Sequence, residues 1–226
     1  MKLGVLFSGG KDSTLALHYA TKKAEVLCLI TLCSENKESY MFHTPNIKLT
    51  KLQAEALNLP LIDRVTEGKP EKELRDLKEA ITQAMKDFNI EGLVTGAVES
   101  VYQASRIQQI CNLLGIWCVN PLWKKNQKLL LEEVVTKGFV TVISGVFAYP
   151  LDRKWLGKKI DEAMIEQLVA LSEDYGLSPS GEGGEIETTV LDAPLFKRKL
   201  EILDSEIEAQ GNSGVYKIKK ARLSKK

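Results

Sequence analysis

The chain has 226 residues, 44% of them hydrophobic, which is enough to build a core for one large domain or two small ones. Lys and Arg total 31 against 30 for Asp and Glu, a net charge of +1. No overall basic field draws such a protein to nucleic acid or to an anionic membrane, so charge recognition has to be local. MKLGVLFSGG at the start lacks both the cleavage site of a signal peptide and the length of a spanning segment, and the expectation is a cytoplasmic protein with no membrane partner. Cys28, Cys33, Cys111 and Cys118 show no Cys-x-x-Cys spacing and only two histidines accompany them, so they are expected as reduced core residues rather than a zinc site.

In chain order, Lys2 to Phe7 is a short apolar run suited to a buried parallel strand, and Asp12 to Lys23 reads as a helix. Glu25 to Leu32 is a second strand, Pro45 to Asn58 a helix and Leu61 to Val65 a third strand. From Pro70 onward Leu74, Leu77, Ile81, Ala84, Met85 and Phe88 recur at helical spacing after a proline suited to a first turn. Leu93 to Gly96 is a fourth strand, Val101 to Leu114 a helix, and Ile116 to Val119 a fifth strand. This alternation predicts an α/β fold with a parallel sheet covered by helices on both faces, whose ligands sit at the carboxyl ends of the strands.

After Pro121 the rhythm changes to a helix at Leu129 to Lys137, a strand at Val140 to Phe147 and a helix at Asp161 to Tyr175. A glycine-rich acidic stretch follows, then a terminal hairpin of Lys199 to Glu208 and Val215 to Leu223 around QGNSG. The expected division is 1–120 for a nucleotide-binding domain and 121–226 for a smaller α+β subdomain that binds substrate.

At the end of the first strand stands SGGKDS, Ser8 to Ser13. It is not a Walker A loop, because Val5 occupies the first glycine position and Asp12 follows the lysine. What remains is a strand, a tight turn and a helix N-terminus, where free N–H groups and the helix dipole favour an anion. Gly9 and Gly10 allow close approach of the backbone, Ser8 and Ser13 donate hydroxyl hydrogen bonds, and Lys11 brings positive charge. Asp12 would repel phosphate unless a divalent cation stood between them, so it is the candidate Mg²⁺ ligand, together with phosphate oxygens. The plainer alternative is that Asp12 or a serine is only a helix cap.

SGGKDS resembles the PP-loop of the ATP pyrophosphatase group, which has the adenine-nucleotide alpha-hydrolase-like, Rossmann-like fold and cleaves ATP to AMP and pyrophosphate. SYMFH at Ser39 to His43, GAVESVYQASRIQQICNLLGI at Gly96 to Ile116, PLW at Pro121 to Trp123, LDRKWLGKKID at Leu151 to Asp161 and GEGGEIETTVLDAPLF at Gly181 to Phe196 narrow the choice. Together they resemble the diphthine–ammonia ligase family over nearly the whole chain, with Ile186 where the family commonly has tyrosine. The resemblance implies ATP and Mg²⁺ as cofactors, with ammonium and elongation factor 2 carrying diphthine as partners. It implies amidation of the diphthine carboxylate through an acyl-adenylate, and no sequence-specific nucleic acid. Oligomeric state stays open, a homodimer included.

On this reading Lys11, Asp12, Arg106 and Glu185 are the catalytic candidates. Ser8, Gly9, Gly10, Ser13, His43, Gly96 and Ala97 join Lys11 and Asp12 in binding ATP. Tyr102, Gln103, Glu182, Gly183, Gly184, Glu187 and Thr188 join Glu185 in binding substrate. Tyr102 and Arg106 stand at i and i+4 near the start of a helix, a spacing that otherwise marks a solvated face. Glu185 and Glu187 have the two-residue spacing that shares one face of a strand, and three clustered carboxylates suit a cationic ligand, although an exposed acidic turn would look the same. Trp123, Tyr149 and Trp155 are candidate aromatic walls for the trimethylammonium group of diphthine. The competing readings are a tRNA-modifying enzyme with the same loop, disfavoured by the missing Cys-x-x-Cys pair, and a non-catalytic ATP-binding sensor.

Overall fold

The computed structural model describes residues 1–36 and 45–226, so SYMFH and its His43 lie outside the described residues. Five parallel strands form the first sheet in the order β3-β2-β1-β4-β5. They are β1 (Lys2–Leu6), β2 (Glu25–Ser34), β3 (Leu61–Thr66), β4 (Gly92–Val94) and β5 (Trp117–Val119). Val5 at the centre pairs with Leu29 on one side and Val94 on the other. Buried on both faces, these strands read as continuous apolar runs rather than alternating ones.

Helices cover both faces, as the alternation predicts. On one side α1 (Lys11–Thr21) and α2 (Thr50–Leu57) pack Leu15, Leu17, Ala54 and Leu57 against Leu3, Val5 and Leu29. On the other, α3 (Pro70–Phe88) and α4 (Val101–Leu114) pack Leu77, Ile81, Ile107 and Ile110 against Cys28, Ile30, Ile62 and Leu93. Each such Leu or Ile contributes about 2 kcal/mol by leaving water. The helix expected from Pro45 begins later. Asn46 takes a left-handed conformation, Ile47–Leu49 form a 3-10 turn and α2 starts at Thr50. Asn46 is held there by tertiary bonds, donating to Thr189 and Tyr216 and accepting from the Ile218 N–H.

The second sheet has the order β7-β6-β9-β8 and is antiparallel at each pairing. Its strands are β6 (Val140–Val146), β7 (Ile186–Asp192), β8 (Lys199–Gln210) and β9 (Ser213–Ser224). Two further helices are α5 (Gln127–Thr136) and α6 (Glu162–Tyr175); Leu131 of α5 and Ile165 of α6 share a core with Ile143 and Ile186. The terminal hairpin is present, and the strand suggested by the spacing of Glu185 and Glu187 is β7, which begins only at Ile186. Val190 of β7, with Phe196 and Leu200, belongs to the same core as α1 and α2, so the second sheet is joined to the first by apolar packing. Among the described residues no helix is long and apolar enough to cross a membrane.

The sheet order reverses direction between β1 and β4, and the loops leaving these two strands diverge there. The carboxyl ends of the strands at such a switch point are where ligands bind in sheets of this kind.

Candidate functional site

The loop after β1 turns through Gly9, at φ +78, into α1. A side chain there would be strained twice over, because a Cβ would also lie 2.1 Å from Oε1 of Gln53. Gln53, buried on α2, donates through Nε2 to both the Gly9 carbonyl (2.9 Å) and the Val190 carbonyl (2.7 Å). Val190 in turn donates its N–H to the Gly9 carbonyl at 3.0 Å. The loop is therefore clamped to β7.

Gly10 is the N-cap of α1 and offers no side-chain cap, so neither Asp12 nor a serine is the helix cap that the plainer reading allowed. Lys11 donates its backbone N–H to Oγ1 of Thr188 at 3.1 Å. A Cβ on Gly10 would press within 3.2 Å of the Thr188 carbonyl. Ser13 accepts from the Ser8 N–H at 3.3 Å, shares a hydroxyl contact with Ser8 at 3.2 Å and reaches the Gly10 carbonyl, closing the turn on itself.

Lys11 is the centre of the site. Only 3% exposed, it donates through Nζ to Asp12 Oδ2 at 2.8 Å and to the carbonyl of Ser180. Burial works against its charge, yet Asp12, with Glu182 and Glu187 also facing it, raises its pKa above the ordinary lysine value. The two glutamates feel the opposite imbalance. Burial, then Asp12, pushes Glu182 up to about 7 despite Lys11 and hydrogen bonds from Ser180 and the Glu99 backbone. Burial likewise lifts Glu187 to about 7, Lys11 opposing while Asp12 and Glu182 add to the rise. One lysine thus faces three carboxylates, an arrangement short of positive charge.

Glu185 is not part of that convergence. It precedes β7, and its carboxylate accepts from the Ser178 N–H (3.0 Å) and the Gly183 N–H (2.9 Å) of its own loop. The expected shared face of Glu185 and Glu187 is absent because the strand begins only at Ile186. Gly181, at φ +81, and Gly184, at φ +84, supply the turns that bring Glu182 back toward α1.

On the other wall, Gly96 follows β4, and a Cβ there would meet the Ser13 N at 2.8 Å and the Asp12 carbonyl carbon at 2.9 Å. This glycine is needed for close packing against the start of α1. Ala97 is buried and donates its N–H to Thr95, whose hydroxyl donates to Asn120. Tyr102 and Gln103 occupy the first turn of α4, which Ser100 caps by accepting from the Gln103 N–H. The Arg106 guanidinium lies 3.5 Å over the Tyr102 ring and, among the described residues, forms no ion pair.

Three participants left no signal in the sequence. Gln53 clamps the loop; Gln127 of α5 accepts from the Ser180 N–H and hydroxyl and donates to Glu99. Ser180 carries the chain of bonds to Lys11. Gln53 and Gln127 belong to no motif and act through partners far away in the chain, whereas Ser180, at the head of the acidic stretch, reaches both the distant Lys11 and its neighbour Glu182.

No cluster of three or more metal-ligating side chains occurs among the described residues. Asp12 still suits Mg²⁺, which takes one or two carboxylates and completes its shell with phosphate oxygens. Its Oδ1 is buried without a hydrogen-bond partner. That vacant lone pair on a hard oxygen fits such a cation.

A glycine turn ending the central strand of this sheet, with a lysine-bearing helix N-terminus behind it, defines a PP-loop nucleotide-binding fold. The diphthamide synthase N-terminal domain matches residues 1–118, and the diphthamide synthase C-terminal domain matches residues 126–224. A Bos taurus protein named diphthine–ammonia ligase is 34% identical over 92% of this chain and 85% of its own length. A Schizosaccharomyces pombe protein of the same name is 34% identical over 97% of this chain, which spans only 39% of that larger protein. Among solved structures, a predicted subunit of tRNA methyltransferase from Methanocaldococcus jannaschii covers 86% of this chain and 98% of its own, at 20% identity and a TM-score of 0.45. The chain belongs to the diphthine–ammonia ligase family, the C–N bond-forming ligases of diphthamide biosynthesis.

Proposed function

We propose that this protein amidates diphthine on elongation factor 2, using ATP and ammonium and releasing AMP and pyrophosphate. The observation that carries the reading is the joining of the Ser8–Ser13 loop to β7 and the Glu182 loop, more than 160 residues away, through Lys11. A nucleotide loop and an acidic, cation-seeking loop thereby face the same few ångströms of space.

A carboxylate is a poor electrophile because oxide would have to leave. Attack of the diphthine carboxylate on the α-phosphorus of ATP forms an acyl-adenylate and expels pyrophosphate; ammonia then attacks the acyl carbon and expels AMP. Lys11, with the N-terminal end of α1, offers positive charge where pyrophosphate develops it as negative. Gly9 and Gly10 let phosphate oxygens approach the backbone, while Ser8 and Ser13 hold the turn. Asp12 would hold Mg²⁺ against the phosphates, and the bound metal would supply further charge neutralisation. Glu182 and Glu187 form the wall that attracts cationic substrate groups, and Thr188 fixes the strand that carries Glu187. Glu185, Gly183 and Gly184 shape that loop. Gly96 and Ala97 line the crevice beside α1, and Tyr102, Gln103 and Arg106 close its far side; Arg106 is the candidate second cation for the leaving pyrophosphate. His43 remains a candidate nucleotide contact by its motif alone.

The test is incubation with Mg-ATP, ammonium and diphthine-bearing elongation factor 2, reading nucleotide products by chromatography and the modified histidine by mass spectrometry. AMP, pyrophosphate and a mass decrease of about one dalton on the substrate are expected, since –OH is exchanged for –NH₂. Formation of ADP, or ATP turnover indifferent to the modified factor, would overturn the assignment.

A further inference from the structure

The turn at Pro121 to Trp123 leads into a side chain that reaches the site from outside it. Leu122 is fully buried, Lys124 takes a left-handed conformation at φ +59 and donates its N–H to the Val98 carbonyl at 2.8 Å, and Asn126 caps α5 by accepting from the Leu129 N–H at 3.0 Å. Gln127 is therefore the first residue of a capped helix whose approach is tied to the loop after β4. Its Oε1 accepts from both the N–H (3.1 Å) and the hydroxyl (3.0 Å) of Ser180, and its Nε2 donates to the Glu99 carboxylate at 3.1 Å.

This pattern calls for a glutamine. Ser180 is 1% exposed, so its N–H has to be paired, and a side-chain carbonyl has the two lone pairs that both donors need. The same side chain must also donate to a carboxylate, which glutamate cannot do. Glutamate would moreover add a charge beside Glu99, whose own backbone N–H is bonded to Glu182. Leucine would leave both Ser180 donors unmet.

What Gln127 holds is the residue whose carbonyl meets Lys11. A lysine ammonium has three N–H bonds, set tetrahedrally with the Cε–Nζ bond. One goes to Asp12 and one to Ser180, which fixes the direction of the third. Moving the Ser180 carbonyl would turn that remaining N–H away. We infer that Gln127 is a positioning residue for adenylation: through Ser180 it aims Lys11 at the pyrophosphate oxygens as the bond to the α-phosphorus breaks and its electron pair leaves with pyrophosphate. The inference rests on the amidation reading for the identity of the leaving group. Because that charge develops only as the bond breaks, loss of aim slows turnover more than it weakens ATP binding.

The test compares Gln127→Leu, Gln127→Glu and the exchanged pair Gln127→Glu with Glu99→Gln in the full chain. Gln127→Leu should form AMP about tenfold more slowly, with KM for Mg-ATP within about twofold of the parent. Gln127→Glu should be as slow, because its carboxylate faces that of Glu99. The exchanged pair rebuilds the same bonds with donor and carboxylate traded, and should recover to within about threefold of the parent. An unchanged rate for Gln127→Leu, a loss carried by KM alone, or an exchanged pair no faster than Gln127→Glu would overturn the role. A second measurement needs no turnover. Acetylation of Lys11 by an N-hydroxysuccinimide ester, read by peptide mass spectrometry, should be about tenfold faster in Gln127→Leu than in the parent, and should slow again in the exchanged pair. Equal labelling of Gln127→Leu and parent would overturn the role as well. Should ADP be the nucleotide product, the amidation reading would fall while the labelling comparison kept its meaning.

Discussion

At the N-terminal end of α1 one lysine faces three carboxylates; at the other end one carboxylate faces two lysines and a phenol. In the second cluster Glu133 of α5 accepts from Tyr19 and Lys125, and Lys137 lies 3.0 Å away. Lys125 also reaches the Tyr19 hydroxyl at 3.0 Å, and both lysines lie over the Tyr19 ring. Burial opposes the charge on Glu133, but hydrogen bonds from Lys125, Tyr19 and Lys137 hold its carboxyl at about 2. Both clusters tie α1 to the C-terminal half of the chain. One is complete without a ligand, and the other, with Glu182 and Glu187 near 7, is short of cations. The complete network reads as a structural tie and the incomplete one as a site.

The contrast breaks most visibly at Asp12. Asp12→Asn should fold with an unchanged melting temperature to within a few degrees, yet lose about 10²- to 10³-fold in AMP formation, the scale of removing one charge-stabilising group. Full activity would reduce Asp12 to a partner of Lys11. Glu133→Gln should show the opposite pattern. Urea titration should find about 3 kcal/mol of lost stability, from two lysines left facing a neutral amide, with the specific activity of the folded fraction intact. For the parent, the Glu133 contribution is present above the unfolded carboxyl pKa near 4.5 and is lost as pH falls from there through about 2.

A smaller effect separates the clusters by sign. The folded pKa of Glu187 lies above its unfolded value, so the folded state binds more protons between about 4.5 and 7, and stability falls as pH rises across that window. Glu187→Gln should therefore stabilise the protein by on the order of 2 kcal/mol at pH 8 and by close to nothing at pH 4. A destabilised variant at pH 8 would mean that Glu187 is a structural partner like Glu133. Least of all, Tyr19→Phe should cost about 1 kcal/mol in the same titration and leave the product ratio untouched.

How far the sequence reveals this arrangement depends on the distance over which each residue acts. The turn at Gly9 and Gly10 was legible because strand, glycines and helix start are contiguous, and the parallel sheet because its strands are short apolar runs separated by helical periodicity. The helix at Pro45 was overestimated because the side chain of Asn46 is bound to β7 and β9, and these tertiary bonds override local propensity. Where β7 begins was hidden by the glycines of the turn before it. Glu185 and Glu187 looked equivalent at a two-residue spacing, but the strand starts between them, so one carboxylate closes its own loop while the other faces Lys11. Gln53 and Gln127 could not be singled out at all: an isolated glutamine has no periodicity, and what each touches is decided by the packing of distant elements.

The central claim is that the space between the Ser8–Ser13 loop and β7 transfers the α-phosphoryl group of ATP to the substrate carboxylate. Diphthine labelled with ¹⁸O in both carboxylate oxygens tests it directly, by mass spectrometry of the nucleotide after one turnover with ammonium. Adenylation predicts one ¹⁸O in AMP and one retained in the amide. Label found in inorganic phosphate, or AMP that carries none, would contradict the account.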